Sequence, residues 1–156
     1  MAKEIERKYL MNLTHWPENV KGTPYRQGYL AITDKGIVRV RIKGNIATLT
    51  VKSSGTGLSR DEFEYEIPMI EAETLLKLCQ NDIIEKTRYK VIAEGKGWDV
   101  DEFHGKNDGL WLAEVELDAE DESVTLPKWA AQEVTGDEHY YNAYLSKHPF
   151  SSGQNE

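Results

Sequence analysis

The sequence predicts an α+β fold built mainly from antiparallel strands. Three observations point there. Apolar and polar residues alternate with a period of two through most of the chain, as they do in half-buried strands. The period changes to about 3.6 over residues 71–81 and in pieces of the last third, which marks helices. Gly, Asn and Asp punctuate the alternating runs at spacings that suit hairpins. The 156 residues, 39% of them apolar, make one domain over residues 1–150, with a loose tail at 151–156.

The first strand is residues 4–10, where Glu4, Glu6 and Lys8 alternate with Ile5, Arg7 and Tyr9. A connector with Thr14, Trp16, Pro17 and Gly22 leads to a strand at 25–32, closed by Asp34, Lys35 and Gly36. Strands at 37–43 and 47–52 form a hairpin through Gly44 and Asn45, which tolerate positive φ. The SSGTGLS segment, residues 53–59, is a loop before a long strand at 60–67, which Pro68 ends. In residues 71–81, Ala72, Leu75, Leu76 and Cys79 share one helical face, so Cys79 belongs to the core. Strands resume at 83–93, 97–103 and 110–118, separated by glycine-containing turns. Beyond Ala119 the chain reads as helical in pieces: an acidic turn, KWAAQEV after Pro127, and HYYNAYLSK, in which Tyr141 and Leu145 lie one turn apart.

Composition removes several functional classes. A net charge of −8 disfavours the broad basic surfaces that nucleic acid and anionic membranes reward. No apolar run approaches the roughly 20 residues of a membrane span. A lone cysteine forms no internal disulfide, and no leader-like stretch precedes Glu4, so the expected compartment is the cytoplasm. His15, His104, His139 and His148 are scattered without ligand spacing and are assigned no chemistry.

The chemistry is written in the strands. Six of them carry a charged row on one face: Glu4, Glu6, Lys8; Arg39, Arg41, Lys43; Lys52 beside two threonines; Arg60, Glu62, Glu64, Glu66; Lys86, Arg88, Lys90; and Glu114, Glu116, Asp118. Two arrangements accommodate them. Each row could be the solvated outer face of an ordinary antiparallel sheet. Alternatively, the strands close into a barrel whose apolar face lies outward under the helices, so that the charged rows line a lumen. An outer face would set like charges side by side where RVRIK runs next to TLTVK, which is destabilising unless something neutralises them. A lumen with Arg and Lys on one side and Glu on the other instead suits a polyanion with a divalent cation, because basic side chains match phosphate and carboxylates match Mg²⁺ or Mn²⁺. Placing eight cations and seven acids there, Asp101 and Glu4 among the acids, leaves +1 inside and −9 outside, a balance that fits an oligophosphate.

These residues carry a family resemblance. Glu4, Glu6 and Lys8 form an E-x-E-x-K triplet, followed in order by RQGYL at 26–30, R-x-R-x-K at 39–43, Lys52, R-x-E-x-E at 60–64, EKTRY at 85–89, Asp101 with Phe103, E-x-E at Glu114 and Glu116, and EVT with YxN at 133–142. The set resembles the CYTH domain, or triphosphate tunnel metalloenzyme, superfamily across residues 4–145. It is most similar to the short bacterial members that hydrolyse inorganic triphosphate. The resemblance implies a closed antiparallel eight-stranded β-barrel, a triphosphate tunnel with a charged lumen, flanked by helices. It implies Glu4, Glu6, Glu114 and Glu116 as ligands of Mg²⁺ or Mn²⁺. Lys8, Arg39, Arg41, Lys43, Lys52, Arg60, Lys86 and Arg88 would grip the phosphate chain, and Glu62, Glu64, Asp101 and Lys8 would serve catalysis. Lys90, Glu66 and Asp118 would lie at the barrel mouth, and one of Tyr29 and Arg26, which have opposite parity, would face the lumen. The partner is a small molecule, inorganic triphosphate or a triphosphorylated compound, with no nucleic acid and no membrane; a homodimer is left open. The superfamily also holds nucleotide and thiamine triphosphatases and class IV adenylyl cyclases, and a non-catalytic polyphosphate- or nucleotide-binding module is the alternative outside enzymes.

Overall fold

A computed structural model describes residues 2–17, 19–54 and 59–150, except the side chains of residues 2–4 and 59. The expected tail at 151–156, the centre of the 53–59 loop and the Glu4 carboxylate therefore lie outside the described residues. The alternation read in the sequence becomes β1 (Ala2–Met11), β2 (Gly22–Ile32), β3 (Gly36–Lys43), β4 (Ile46–Ser53), β5 (Ser59–Ile67), β6 (Gln80–Ala93), β7 (Lys96–Phe103) and β8 (Trp111–Glu116). A short β9 (Ala130–Glu133) follows, and two helices, α1 (Met69–Lys77) and α2 (Asn142–Lys147), complete the α+β fold. Among the described residues the nine strands form one antiparallel sheet in the order β5-β4-β3-β2-β6-β7-β8-β1-β9. The first residues of β1 also pair with β5, Ala2 opposite Glu62 and Glu4 opposite Arg60. None of the described helices is long and apolar enough to cross a membrane.

Two elements depart from expectation. KWAAQEV, read as helical, contains β9 instead: Tyr9 pairs with Glu133 and Met11 with Ala130. Where β5 stops at Ile5, the edge of β1 still offers backbone groups, and these take Val134 N–H to Lys8 C=O at 2.8 Å while Asn12 N–H reaches Trp129 C=O at 2.8 Å. An exposed strand edge thus overrides the helix preference of two alanines. The helix expected at 71–81 starts earlier and stops at Lys77, and Cys79 packs just beyond its end.

Burial divides by strand parity. Val40, Ile42 and Ala47 pack outward against Ala72 and Leu76 of α1. Trp98, Val100, Ala113 and Val115 pack outward against Tyr9 and Trp129. The opposite faces carry the charged rows, but these rows change character toward one end of the sheet. Ile84, Phe103 and Leu112 share parity with Lys86, Asp101 and Glu114, and they form a buried apolar cluster with Leu145 of α2. Charge therefore gives way to a hydrophobic floor, and α2 lies against that floor.

Candidate active site

Period-two alternation delivers the charged side chains of seven strands to one cavity of about 620 Å³. Lys8 and Glu6 come from β1, Arg39 and Arg41 from β3, Lys52 from β4, Arg60 and Glu62 from β5, Lys86, Arg88 and Lys90 from β6, and Glu114 and Glu116 from β8. With Asp99 of β7, the lining holds eight cations and five acids. The arginines do not stand opposite like charges as the RVRIK and TLTVK runs suggested. Register places Thr50 opposite Arg39 and Thr48 opposite Arg41, and Arg39 donates to Thr50 Oγ1 at 3.3 Å. Among the described residues, Arg39 Nε is buried without a hydrogen-bond partner, a donor that an anionic oxygen would satisfy.

Asp101 organises one wall from behind. It is 1% exposed, and it accepts from Lys86 Nζ at 2.8 Å and from Arg88 Nε and Nη2 at 2.7 and 2.8 Å. Burial works to raise its pKa, but the Arg88 and Lys86 charges outweigh burial and hold the carboxyl well below the usual range. Burial lowers Lys86 to about 7 despite Asp101, with Arg88 and Arg41 adding to the depression. Burial likewise lowers Arg41 to about 9, helped by Arg39 and Arg88. Burial opposes the charge of Arg88 as well, but Asp101 overcomes it and holds that guanidinium well above its ordinary value. Excess buried cation is thus a property of the cavity, and an anion would relieve it.

The carboxylates gather beside that wall, with Glu114 Oε1 3.7 Å from Arg88 Nη2. Glu6 and Glu116 are direct cross-strand partners of like sign, and Glu114 sits opposite Lys8. Burial pushes Glu114 up, yet Lys8 and Arg88 bring it down to about 2, so it is ionised. Among the described residues no three His, Cys, Asp or Glu converge closely enough to hold a metal ion. The chemistry of the wall nevertheless fits one. Hard carboxylate oxygens are what Mg²⁺ and Mn²⁺ prefer, and a cation bound beside Glu6 and Glu116 would ease the like-sign contact between these cross-strand partners.

Not every expected residue lines the cavity. Lys43 is exposed at the end of β3 and Glu64 is exposed on β5, where it accepts from Thr50 Oγ1 at 3.3 Å. Glu66 and Asp118 are exposed and outside the lining. Of Arg26 and Tyr29, Tyr29 faces the cavity, while Arg26 pairs with Glu73 of α1 at 2.6 Å. Several contributors carried no charge pattern to announce them. The Tyr25 ring lies 4.9 Å from the Arg41 guanidinium and 5.0 Å from that of Arg88. The Tyr141 hydroxyl accepts from Arg60 at 3.0 Å, and its ring lies 5.4 Å from Lys8 Nζ. Gln27 is fully buried and accepts from Arg41 Nε at 2.8 Å. Asn142 accepts from Lys86 Nζ at 3.1 Å, and the YxN triplet was its only trace in the sequence.

Comparison with known proteins agrees with this geometry. The CYTH domain family matches residues 2–145. An inorganic triphosphatase of Acetivibrio thermocellus is 46% identical over 153 residues, covering 97% of this chain and 98% of that protein. An inorganic triphosphatase of Nitrosomonas europaea is 38% identical over 147 residues, covering 92% and 96%. The crystal structure of the inorganic triphosphatase NE1496 superposes with a TM-score of 0.68 at 35% identity, covering 91% of this chain and 96% of that one.

Proposed function

This chain belongs to the CYTH domain family, and from that premise we propose that it hydrolyses inorganic triphosphate to pyrophosphate and phosphate inside the cavity. The observation that carries the reading is the convergence of cations from five strands on one 620 Å³ space whose lining also presents a carboxylate wall. Both curated relatives bear the name inorganic triphosphatase, which supports the same substrate. Pairing of β5 with β1 supports a closed eight-stranded barrel, with β9 an addition on the free edge of β1. The apolar cluster packed against α2 supports a floor at one end of that space.

Lys8, Arg39, Arg41, Lys52, Arg60, Lys86 and Arg88 grip the phosphate chain. Lys43 lies outside that grip. Phosphoryl transfer asks chiefly for in-line positioning and charge neutralisation, and fixed cations in a secluded site supply both. Water bonds to the terminal phosphorus, the anhydride P–O bond breaks, and pyrophosphate leaves. Glu62 orients the water from the wall, Glu64 steadies the Thr50 and Arg39 pair, and Asp101 acts through Lys86 and Arg88 rather than on water, because both its oxygens are engaged. Glu6, Glu114 and Glu116, together with Glu4, would hold Mg²⁺ or Mn²⁺, which supplies further charge neutralisation when bound. The substrate is a small cytoplasmic anion, and a single domain of residues 1–150 suffices.

The test is kcat/KM for inorganic triphosphate, pyrophosphate and ATP at one Mg²⁺ concentration. Binding energy from the two phosphoryl groups that do not react aligns the third, so triphosphate should lead pyrophosphate by at least about tenfold, or roughly 1.4 kcal/mol. Equal values for those two would overturn the reading. Preference for ATP with cyclic AMP among the products would move the chain to the cyclase activity.

A further inference from the structure

The cavity lining includes Asn142, a neutral group to which the triphosphatase reading gives no role. Asn142 opens α2, carries no charge and reaches toward the cations from outside the sheet. Its Oδ1 accepts from Lys86 Nζ at 3.1 Å and from Gln27 Nε2 at 3.2 Å. Gln27 is fully buried, and its Oε1 accepts from Arg41 Nε at 2.8 Å. The direction of this chain is fixed from the arginine end. An arginine guanidinium only donates, so the oxygen of Gln27 must face Arg41 and its NH₂ must face Asn142, whose oxygen is then the atom turned toward Lys86. The remaining contact between the two amides is then Gln27 NH₂ to Asn142 oxygen, as observed. Either amide turned over would set donor against donor.

From this we propose that Asn142 is a positioning residue for anion binding, holding Lys86 directly and Arg41 through Gln27 so that both point at the same phosphate chain. The proposal rests on the triphosphatase reading given above, and it concerns the grip rather than the chemistry. Asp101 on the other side of Lys86 fixes the ammonium with a full negative charge, which weakens its attraction for a phosphate. Neutral carboxamides orient two cations without cancelling either. The support is rigid because α2 is anchored by Leu145, 2% exposed among Ile84, Phe103 and Leu110, and by the buried Ser146.

Calorimetric binding of inorganic triphosphate, run beside steady-state kinetics, tests it. Asn142→Ala should weaken binding about tenfold, as loss of a hydrogen bond to a charged group does. The same loss is expected of Gln27→Ala, and the double variant should be no worse than the weaker single one. Asn142→Asp keeps both acceptors and the fold but adds charge beside Lys86, so it too should weaken binding while melting no lower than the parent. Lys147→Ala, on the exposed side of the same helix, should bind as the parent does. Full affinity in Asn142→Ala, or losses that add in the double variant, would overturn the relay. If the parent binds triphosphate without cleaving it and Asn142→Ala binds weakly, the relay stands and the triphosphatase reading falls. If the parent does not bind it at all, both fall.

Discussion

Asp101 shows how much one residue decides. Two cations and one carboxylate are buried together, and removing one partner of such a group leaves charge uncompensated, at a cost of about 3–5 kcal/mol. Asp101→Asn should lower stability in urea by that order. The pH profile has a definite sign. The folded pKa of Asp101 lies below its unfolded value, so its contribution is complete above about pH 4 and is lost as pH falls toward the folded value. Acidification below pH 4 should therefore destabilise the parent more steeply than Asp101→Asn, and equal acid slopes would mean that the carboxylate is not the anchor. Its partners Lys86 and Arg88 were legible because six charged rows together are hard to reconcile with solvated faces, whereas Asp101 stood outside those rows and was named through the lumen charge balance and the family resemblance. Gln27 and Asn142 were not legible, since a neutral amide breaks no pattern and its value depends on partners 115 residues apart. Lys43 and Glu64 mark the limit of parity: it gives the face a side chain occupies, and says nothing of how far along the strand the cavity extends.

Among the elements, the eight long strands were visible through their alternation and the β3–β4 hairpin through Gly44, whose φ of +57° suits glycine. β9 was not, because its pairing is dictated by a free edge on β1 more than a hundred residues away, which no local window contains. α2 was read correctly from the spacing of Tyr141 and Leu145, and Leu145 N–H does bond Tyr141 C=O at 2.9 Å. Its function follows from its place: six residues long, it is held by packing and in turn carries Tyr141 and Asn142 to the cations. Leu145→Ala should lose about 2–5 kcal/mol in urea unfolding, and Leu76→Ala on α1, facing the outer side of the sheet, should lose a similar amount. Only Leu145→Ala should also raise KM for triphosphate. A rise of the same size in Leu76→Ala would show that α2 contributes only general stability.

Taken as a whole, the molecule carries −8, yet the side chains lining its cavity sum to +3, which leaves −11 for the rest of the chain. Such a separation of charge is costly, and bound ligands of the opposite sign would offset it. Burial, and after it the neighbouring cations, lowers Lys86 and Arg41, and Glu6 faces Glu116 across β1 and β8. Ligands that enter should therefore stabilise the fold as a whole, by about 2.7 kcal/mol at a hundred times Kd, which for a chain of this size is a rise in Tm of several degrees. Metal and anion should act on different walls. Mn²⁺ or Mg²⁺ alone should raise Tm of the parent, and triphosphate added with the metal should raise it further. Glu116→Gln removes the repulsion with Glu6, worth up to about 1 kcal/mol, so without metal it should melt at or above the parent. With metal the same variant should gain little, because a hard carboxylate ligand is gone. Arg41→Ala should show the converse, keeping the response to metal and losing most of the response to triphosphate. Differential scanning of the three proteins with and without each ligand separates the walls, and a metal-induced rise in Glu116→Gln equal to that of the parent would remove the carboxylates of β1 and β8 from the site.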